Sequence, residues 1–474
     1  MQPIIRTGVI AVIASLLLSG CAAFSPDGGM SLVADTAGRE LGKDIAAIRN
    51  DSDAAAARDA VTNLLKRPLS ADAAVQIALL NNRGLQAAYS ELGIAEARMV
   101  AASLPPNPTL SVSRLAGAGS VEIEGKLLGD ILALATLPAR GETARTRFRQ
   151  AQLRAAEETL RAAQETRRAW YQAVASQQLV TYLTEAKSAA DAAATLSERL
   201  GKTGAINKLD QARQQTFYAE TMAQLATARQ NAASDRERLI RAMGLWGRDL
   251  NFRLPSTLPA LPPRPLVQPA IEREAIKRRI DVQVARLETE ALAGTLGLTQ
   301  ATRFVDVFEL AGLGKRTKRG DEIERERGLE AELRVPIFDL GEARVRAAEQ
   351  SYMQAVHRLT EIAVNARSQA REAYRSYRAS YDIAGHYQRE ILPLRQIISD
   401  EMLLRYNAMQ IDVFALLTEA RQRIASNTAA IEAQRNFWIA STTLSAAVIG
   451  GMPGAGASSP AMAMAAGGGE AGGH

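Results

Sequence analysis

Along most of the chain, apolar residues recur at steps of three and four. From Tyr352 they fall at Ala355, Leu359, Ile362, Ala366, Ala370, Tyr374, Tyr377, Tyr381 and Ala384. This is a narrow seam of coiled-coil type, and the tyrosines read as seam residues. A helix from Gly341 to Leu392 would run roughly 75–80 Å at 1.5 Å per residue. Pro393 should kink or end it. A similar run extends from Gly141 past Trp170 to Arg199. A shorter helix opens with Ser70 as N-cap and Asp72 in its first turn, carries Val75, Ala78 and Leu79 on one face, and stops before Pro105-Pro106-Asn107-Pro108. The period changes to two in Leu110-Ser111-Val112-Ser113 and in Val121-Glu122-Ile123-Glu124, which predict strands. It does so again where Leu329, Ala331, Leu333 and Val335 alternate with Glu330, Glu332 and Arg334. The charged stretch from Lys315 to Arg327 is expected to be a solvated loop.

The plan occurs twice. Leu137-Pro138 leads through Gly141-Glu142-Thr143-Ala144-Arg145 into one long helix, and Val335-Pro336-Ile337-Phe338-Asp339 leads through Gly341-Glu342-Ala343-Arg344 into the other. Arg199-Leu200 with Ala212-Arg213-Gln214 has its counterpart in Arg405-Tyr406 with Ala420-Arg421-Gln422. The period is about two hundred residues. The proline-rich stretch Leu254-Pro255 to Pro265 cannot continue a helix. The expected organisation is a leader at 1–20, an N-terminal segment at 21–67, repeat 1 at 68–245, a linker at 246–268, repeat 2 at 269–447 and a Gly/Ala/Met-rich tail at 448–474. Each repeat reads helix, strand pair, very long helix, turn, helix.

Arg6 followed by apolar Val9 to Leu18 has the form of a secretory signal, and Leu18-Ser19-Gly20-Cys21 resembles a bacterial lipobox. Cys21 is the chain's only cysteine, so it is the expected lipidation site and no disulfide can form. Similarity to bacterial lipoproteins implies that Ala22 favours the outer membrane. No later stretch has ~18 consecutive apolar residues. Aromatic residues are 5% and charged residues 23%, which suits long, closely packed helices. The net charge of +6 comes from interspersed Arg and Glu, a pattern that argues against a nucleic-acid partner. Gly201-Lys202-Thr203 lacks the upstream glycine of a phosphate loop, since Leu196 holds that place. His357, His386 and His474 are too scattered for a metal triad, and neither HExxH nor CxxC occurs. An enzyme is not expected, nor a cofactor beyond the lipid on Cys21.

Four strands cannot close a membrane barrel alone, because a bacterial barrel needs at least about eight and lipid tolerates no unpaired edge. Several copies must share one. At this point a resemblance becomes specific. Leu69-Ser70-Ala71-Asp72-Ala73 with Ala78-Leu79-Leu80-Asn81-Asn82, Pro106-Asn107-Pro108, Pro336-Ile337-Phe338-Asp339, and Arg405-Tyr406 with Leu416-Leu417 and Ala420-Arg421-Gln422 resemble the TolC-type outer-membrane efflux proteins over residues 68 to 447. The resemblance implies a mostly α fold with some β: a long α-helical coiled-coil barrel and a transmembrane β-barrel completed by trimerisation. It further implies a homotrimer in the outer-membrane lipid that works with a periplasmic adaptor and an inner-membrane pump.

The same resemblance places an adaptor-docking tip at Arg199, Gly201, Gly204, Arg405, Tyr406 and Met409, with Met409 standing where the family has glycine. It places the pore constriction at Glu419, with Asp412 nearby. Arg405 to Met409 and Leu209 to Arg213 look like the ducts of metal-resistance systems, and thioethers at Met452, Met462 and Met464 with His474 would suit Cu(I). The expected function is the outer-membrane channel of a tripartite efflux system, conducting substrates that include copper or silver ions. A protein-secretion exit duct and a structural coiled-coil envelope lipoprotein stay open as alternatives.

Overall fold

The computed structural model describes residues 24–450 except positions 118, 306, 335 and 336. Cys21, Met452, Met462, Met464 and His474 lie outside the described residues. The chain divides into two compact units. One gathers Met1–Asp59, Leu79–Glu158 and Glu272–Gln369; the other gathers Ala60–Ala78, Thr159–Ile271 and Ala370–His474. The principal elements are α1 (Asp51–Leu65), α2 (Ala71–Asn81), α3 (Arg83–Ser103), β1 (Thr109–Gly117), β2 (Ser120–Asp130), α4 (Ile131–Lys202) and α5 (Lys208–Met243). They continue with α6 (Ile271–Arg278), α7 (Ile280–Ala301), β3 (Phe308–Arg319), β4 (Glu322–Leu333), α8 (Glu342–His386), α9 (Leu392–Asn407) and α10 (Val413–Ile449). No described helix is long and apolar enough to cross a membrane.

The expected helix–strand pair–long helix–helix plan occurs in both halves, with local departures. Ser70 caps α2 as expected, its hydroxyl accepting from the Ala73 amide at 3.1 Å. The helix then breaks at Asn82, whose side chain accepts from Leu85 N and starts α3. The second half breaks at the corresponding place, Arg279, between α6 and α7. The first long helix begins ten residues before Gly141, directly after β2. Asp130 accepts from Ala133 N at 2.8 Å to start it, and Pro138 lies inside the helix. Ahead of Pro393 the chain forms a π-type turn at Tyr387–Ile391 and then continues as α9. The wider turn fits a ring that clashes with the carbonyl four residues back and has no N–H to give. Gly341 opens α8 at φ 75, where a Cβ would lie 2.7 Å from the Arg303 carbonyl oxygen, so only glycine fits.

The largest correction concerns Lys315 to Arg327. It is not a loop. β3 and β4 run through it and pair antiparallel from Phe308↔Leu333 to Arg319↔Glu322, so that only Gly320 and Asp321 turn. Gly320 takes φ 57, as a two-residue hairpin turn requires. All the strands join in one four-stranded antiparallel sheet of order β1-β2-β3-β4. Charge is compatible with strand here because period two, not apolarity, defines a sheet with two different surroundings.

In the second unit the proline-rich linker is held by side chains. Proline offers a carbonyl but no N–H, so such a segment cannot satisfy itself. Trp438 Nε1 and Gln434 Nε2 donate to the Pro259 carbonyl at 3.0 and 2.8 Å. Tyr381 donates to Pro262 O at 3.0 Å, and Leu266 N donates to the Tyr377 hydroxyl at 3.0 Å. The tyrosine seam is therefore buried as expected, Tyr377 and Tyr381 against Phe437, and it also clamps the linker. Buried Trp170 donates to the Leu69 carbonyl at 2.8 Å and ties the start of the first repeat to α4.

The first unit contains a buried ionic cluster. Arg279, 2% exposed, holds Asp281 through a two-pronged contact of 2.6 and 3.0 Å, and its remaining Nη donates to Gln369 at 2.8 Å. Glu157 lies beside this cluster. Burial, then the neighbouring Asp281 and Glu158 carboxylates, push its pKa from 4.5 up to about 7, and Arg279 and Arg154 offset only part of that. A carboxyl whose pKa is raised on folding contributes stability fully below about 4.5 and loses it as pH rises through about 7. The fold should accordingly lose on the order of 3 kcal/mol from this group between pH 4.5 and 8. Glu157→Gln should flatten that slope. Denaturant midpoints at the two pH values measure it, and parallel profiles for wild type and variant would contradict the assignment.

Candidate functional site: paired helical turns and a sheet of two faces

The turns after α4 and α9 are built alike. In the first, Gly204 N donates to Gly201 O and Ala205 N to Leu200 O at 3.1 and 2.9 Å, closing the helix with a left-handed residue, Gly204, at φ 74. In the second, Met409 N donates to Tyr406 O and Gln410 N to Arg405 O, each at 2.9 Å, and Met409 takes φ 58. Met409 thus occupies the geometric place of Gly204, and it is the one non-glycine residue with positive φ among those described. The caps equate Arg405 with Leu200, one step from the alignment that the Arg-Leu and Arg-Tyr pairs suggest. Three residues after each left-handed residue comes an N-cap: Asn207 accepts from Asp210 N at 2.8 Å, and Asp412 from Ala415 N at 2.9 Å. Met409 is almost fully exposed at 94%; Arg199 and Arg405 are exposed, and Arg405 pairs with Glu401 at 2.9 Å.

The helices that leave these turns are stitched together by their repeated arginines. Arg213 of α5 lies 4.7 Å over the Phe414 ring of α10, and Arg421 of α10 lies 5.7 Å over Phe217 while pairing with Glu220 at 2.9 Å. Phe217, Leu417 and Ala190 form the apolar centre of this contact. The structure places the two expected constriction carboxylates differently. Asp412 is an exposed helix cap. Glu419 is buried and takes a 3.1 Å ion pair from Arg395 of α9, which also donates to Gln422 at 2.6 Å. The second Glu419 oxygen, Oε1, is buried with no hydrogen-bond partner among the described residues. Arg395 was not foreseen: it lies in an α-helical stretch with no motif around it, and only the fold brings it to Glu419. No group of three metal-binding side chains occurs among the described residues.

The sheet has a second arrangement of functional interest. Residues directly opposite across an antiparallel ladder share a face. The register therefore puts Leu110, Val112, Ile123, Leu127, Leu310, Ile323, Leu329 and Leu333 on one surface, all exposed. The other surface carries Glu122, Glu124, Asp130, Glu309, Glu322, Glu324, Glu326, Glu330 and Glu332 against Lys126, Lys315 and Arg319. Lys126 of β2 reaches Glu330 of β4 across β3 at 2.9 Å, which small Ala311 on β3 permits. Lys315 reaches Glu122 at 2.5 Å. Taking Lys315 to Arg327 as a loop hides the acidic face. The signal was present: glutamates at 322, 324 and 326, then 330 and 332, alternate strictly.

No protein-family profile and no curated protein matches the chain. Solved structures do. CusC, studied for conformational changes accompanying folding and transmembrane channel formation, has 17% identity and a TM-score of 0.68, covering 80% of this chain and 92% of that one. The CmeC outer membrane channel of Campylobacter jejuni has 15% identity and a TM-score of 0.65, covering 81% and 86%. The outer membrane protein VceC of Vibrio cholerae has 14% identity and a TM-score of 0.67, covering 81% and 97%. At these identities the likeness shows the fold, and it is the TolC-type fold that the sequence motifs implied.

An L-residue in the left-handed region is strained, whereas glycine adopts it freely. Met409→Gly should therefore stabilise the second turn by about 1 kcal/mol net of the added chain entropy. Hydrogen exchange of the Met409 and Gln410 amides should slow in the variant. Exchange that is unchanged or faster would mean that Met409 is held there by contacts rather than strained.

Proposed function

We propose that the protein is the outer-membrane channel of a tripartite efflux system, working as a homotrimer with a periplasmic adaptor and an inner-membrane pump. The observation that carries this reading is the sheet: an apolar, exposed surface backed by an acidic one, on strands of 9 to 12 residues. Strands of about 9–11 residues suffice to cross a bilayer when tilted. With edges β1 and β4 open, copies joined edge to edge give a closed wall with lipid outside and water inside. The twelve strands of a trimer lie within the range of bacterial barrels. Cys21, acylated, would tether each copy, and acyl mass on an N-terminal Cys21 peptide is the direct readout.

The exposed turn residues Arg199, Gly204, Arg405, Tyr406 and Met409, with Gly201 behind them, form the surface offered to the adaptor in this reading. Glu419 sets the constriction through its pair with Arg395. While paired, the carboxylate is neutralised; breaking the pair would leave it uncompensated and in need of water, which favours an opened tip. Asp412 contributes at the mouth of the turn. The acids lining the barrel act together with these to favour cations. The substrate class that best suits the acidic lumen is cationic, and we take copper or silver ions as the particular case, with Met452, Met462, Met464 and His474 of the tail as capture ligands.

Planar-bilayer recordings of the purified trimer test the channel. Cation selectivity should fall when Asp412 and Glu419 are both changed to Ala, and Arg395→Ala should raise the open probability. A protein that inserts but never conducts would reject the reading. Deleting the gene should sensitise cells to copper and silver more than to dyes and detergents. Equal sensitivity without a metal phenotype removes the metal and leaves the duct, and loss of a secreted protein instead points to a secretion exit.

A further inference from the structure

We propose that the hairpin end of the sheet's apolar face binds a phosphorylated, polyanionic lipid headgroup of the outer leaflet. This rests on the channel reading above for which side meets lipid. The face carries charge of a single sign. Arg114, Arg316 and Arg325 lie in one cross-strand row with Ile123, Arg327 lies one row toward the helices, and Lys318 lies one row toward the turns. All five are exposed. At ~3.4 Å per residue and ~4.8 Å between strands, they fill an area about 14 Å on each side.

Among the described residues this face has no Asp or Glu, because the register sends every strand carboxylate to the opposite surface. That surface has its ion pairs, Lys126 with Glu330 and Lys315 with Glu122. The outward cations have none among the described residues. Arg316 and Arg325 are directly opposed, and like charges in that position repel. Closing the barrel cannot relieve this. A neighbouring copy brings the same outward face to the edge strands, and with it only more cations. The counter-charge must come from outside the protein.

Position identifies what supplies it. Toward the helix end, the same face carries Leu110, Leu127, Leu310, Leu329, Leu333 and Phe308, and it is there that hydrocarbon is met. A lipid-facing Arg or Lys is costly at the midplane and nearly free at the interface, so the basic rows belong at a headgroup level. Barrels commonly mark both interfaces with aromatic girdles. Here the hairpin end has no aromatic residue on any strand, and cations occupy that level. Guanidinium forks match phosphate oxygens two at a time, whereas an electroneutral headgroup offers no net charge to offset so many cations. Long arginine stems can lie along the apolar surface while the forks reach the headgroup plane.

The test is native mass spectrometry of the full-length trimer in neutral detergent, titrated separately with diphosphoryl lipid A, phosphatidylethanolamine and inorganic phosphate. The wild type should retain the diphosphoryl lipid in preference to phosphatidylethanolamine. Arg114→Gln, Arg316→Gln and Arg325→Gln combined should weaken that retention at least about tenfold. The matching Arg→Lys variant, which keeps the charge, should lose much less. If the triple Gln variant fails to assemble, Arg325→Gln with Lys318→Gln gives the same comparison with Arg114 and Arg316 of that row left in place. Equal retention in the Gln variants, equal binding of phosphatidylethanolamine, or full displacement of the lipid by inorganic phosphate would each overturn the proposal. Conductance of the same preparations separates the two readings: a trimer that conducts yet shows no lipid preference refutes the headgroup site alone.

Discussion

Backbone hydrogen bonding at the two outer edges of the sheet is the constraint on which the proposed channel depends. β2 and β3 are paired on both sides; β1 and β4 each have one side open. In water those groups could be solvated, but in hydrocarbon each would cost several kcal/mol. In the proposed channel, edge closure by further copies would answer this with no new sequence feature. It also fixes which way every side chain must point, because a regular register without slips locks alternate residues to one face over the whole strand. The confinement of every strand carboxylate to one face follows from that lock, although Leu115, Leu128 and Leu313 share that face.

The helical turns obey a related rule. The last carbonyls of α4 and α9 need donors, and the chain supplies them from the next residues by passing through a left-handed conformation. Glycine makes this easy at 204. At 409 the same hydrogen bonds are made by methionine, which projects a long apolar side chain into solvent at the place where the first turn has none. Strain retained at an exposed turn is the kind of feature that marks a contact surface. The Glu419–Arg395 pair has the same character one layer further in. A buried carboxylate with one oxygen unsatisfied is poorly compensated, so α9 and α10 hold this ion pair without a complete hydrogen-bond shell.

The long helices, the strand pairs and the doubling of the plan were legible because each is a periodicity, and periodicity survives in a single sequence. Met409 stands out in the sequence only as a residue where the resemblance implies glycine; its left-handed backbone is visible in the structure alone. The charged strands are not legible in this way, because a run of charge suggests solvent and solvent suggests a loop. Glu322 to Arg327 obey period two as strictly as any leucine run, but one of their faces is acidic and the other sets two arginines beside Ile323. Arg395 and Arg279 could not be found either. Each is defined by a partner on another element, and no local pattern records that. The linker was recognised by its prolines, but the donors that hold it, Trp438, Gln434 and Tyr381, looked like ordinary seam residues.

The two surfaces of the sheet are coupled more closely than their separate chemistries suggest. In the proposed channel, a strand that shows hydrocarbon on one side and water on the other has half its positions available for charge, and this chain places every strand carboxylate among them. The acidic face keeps Lys126, Lys315 and Arg319 among its carboxylates, whereas the outward rows near the turns carry Arg114, Arg316, Lys318, Arg325 and Arg327 with no acid beside them on that face. Placed at the midplane, those cations would unmake the barrel; placed on the inner face, they would neutralise the carboxylates that make the lumen acidic. The outward hairpin end is the position on these strands that conflicts with neither. Charge sign and depth would thus be set together by the same register that would close the wall.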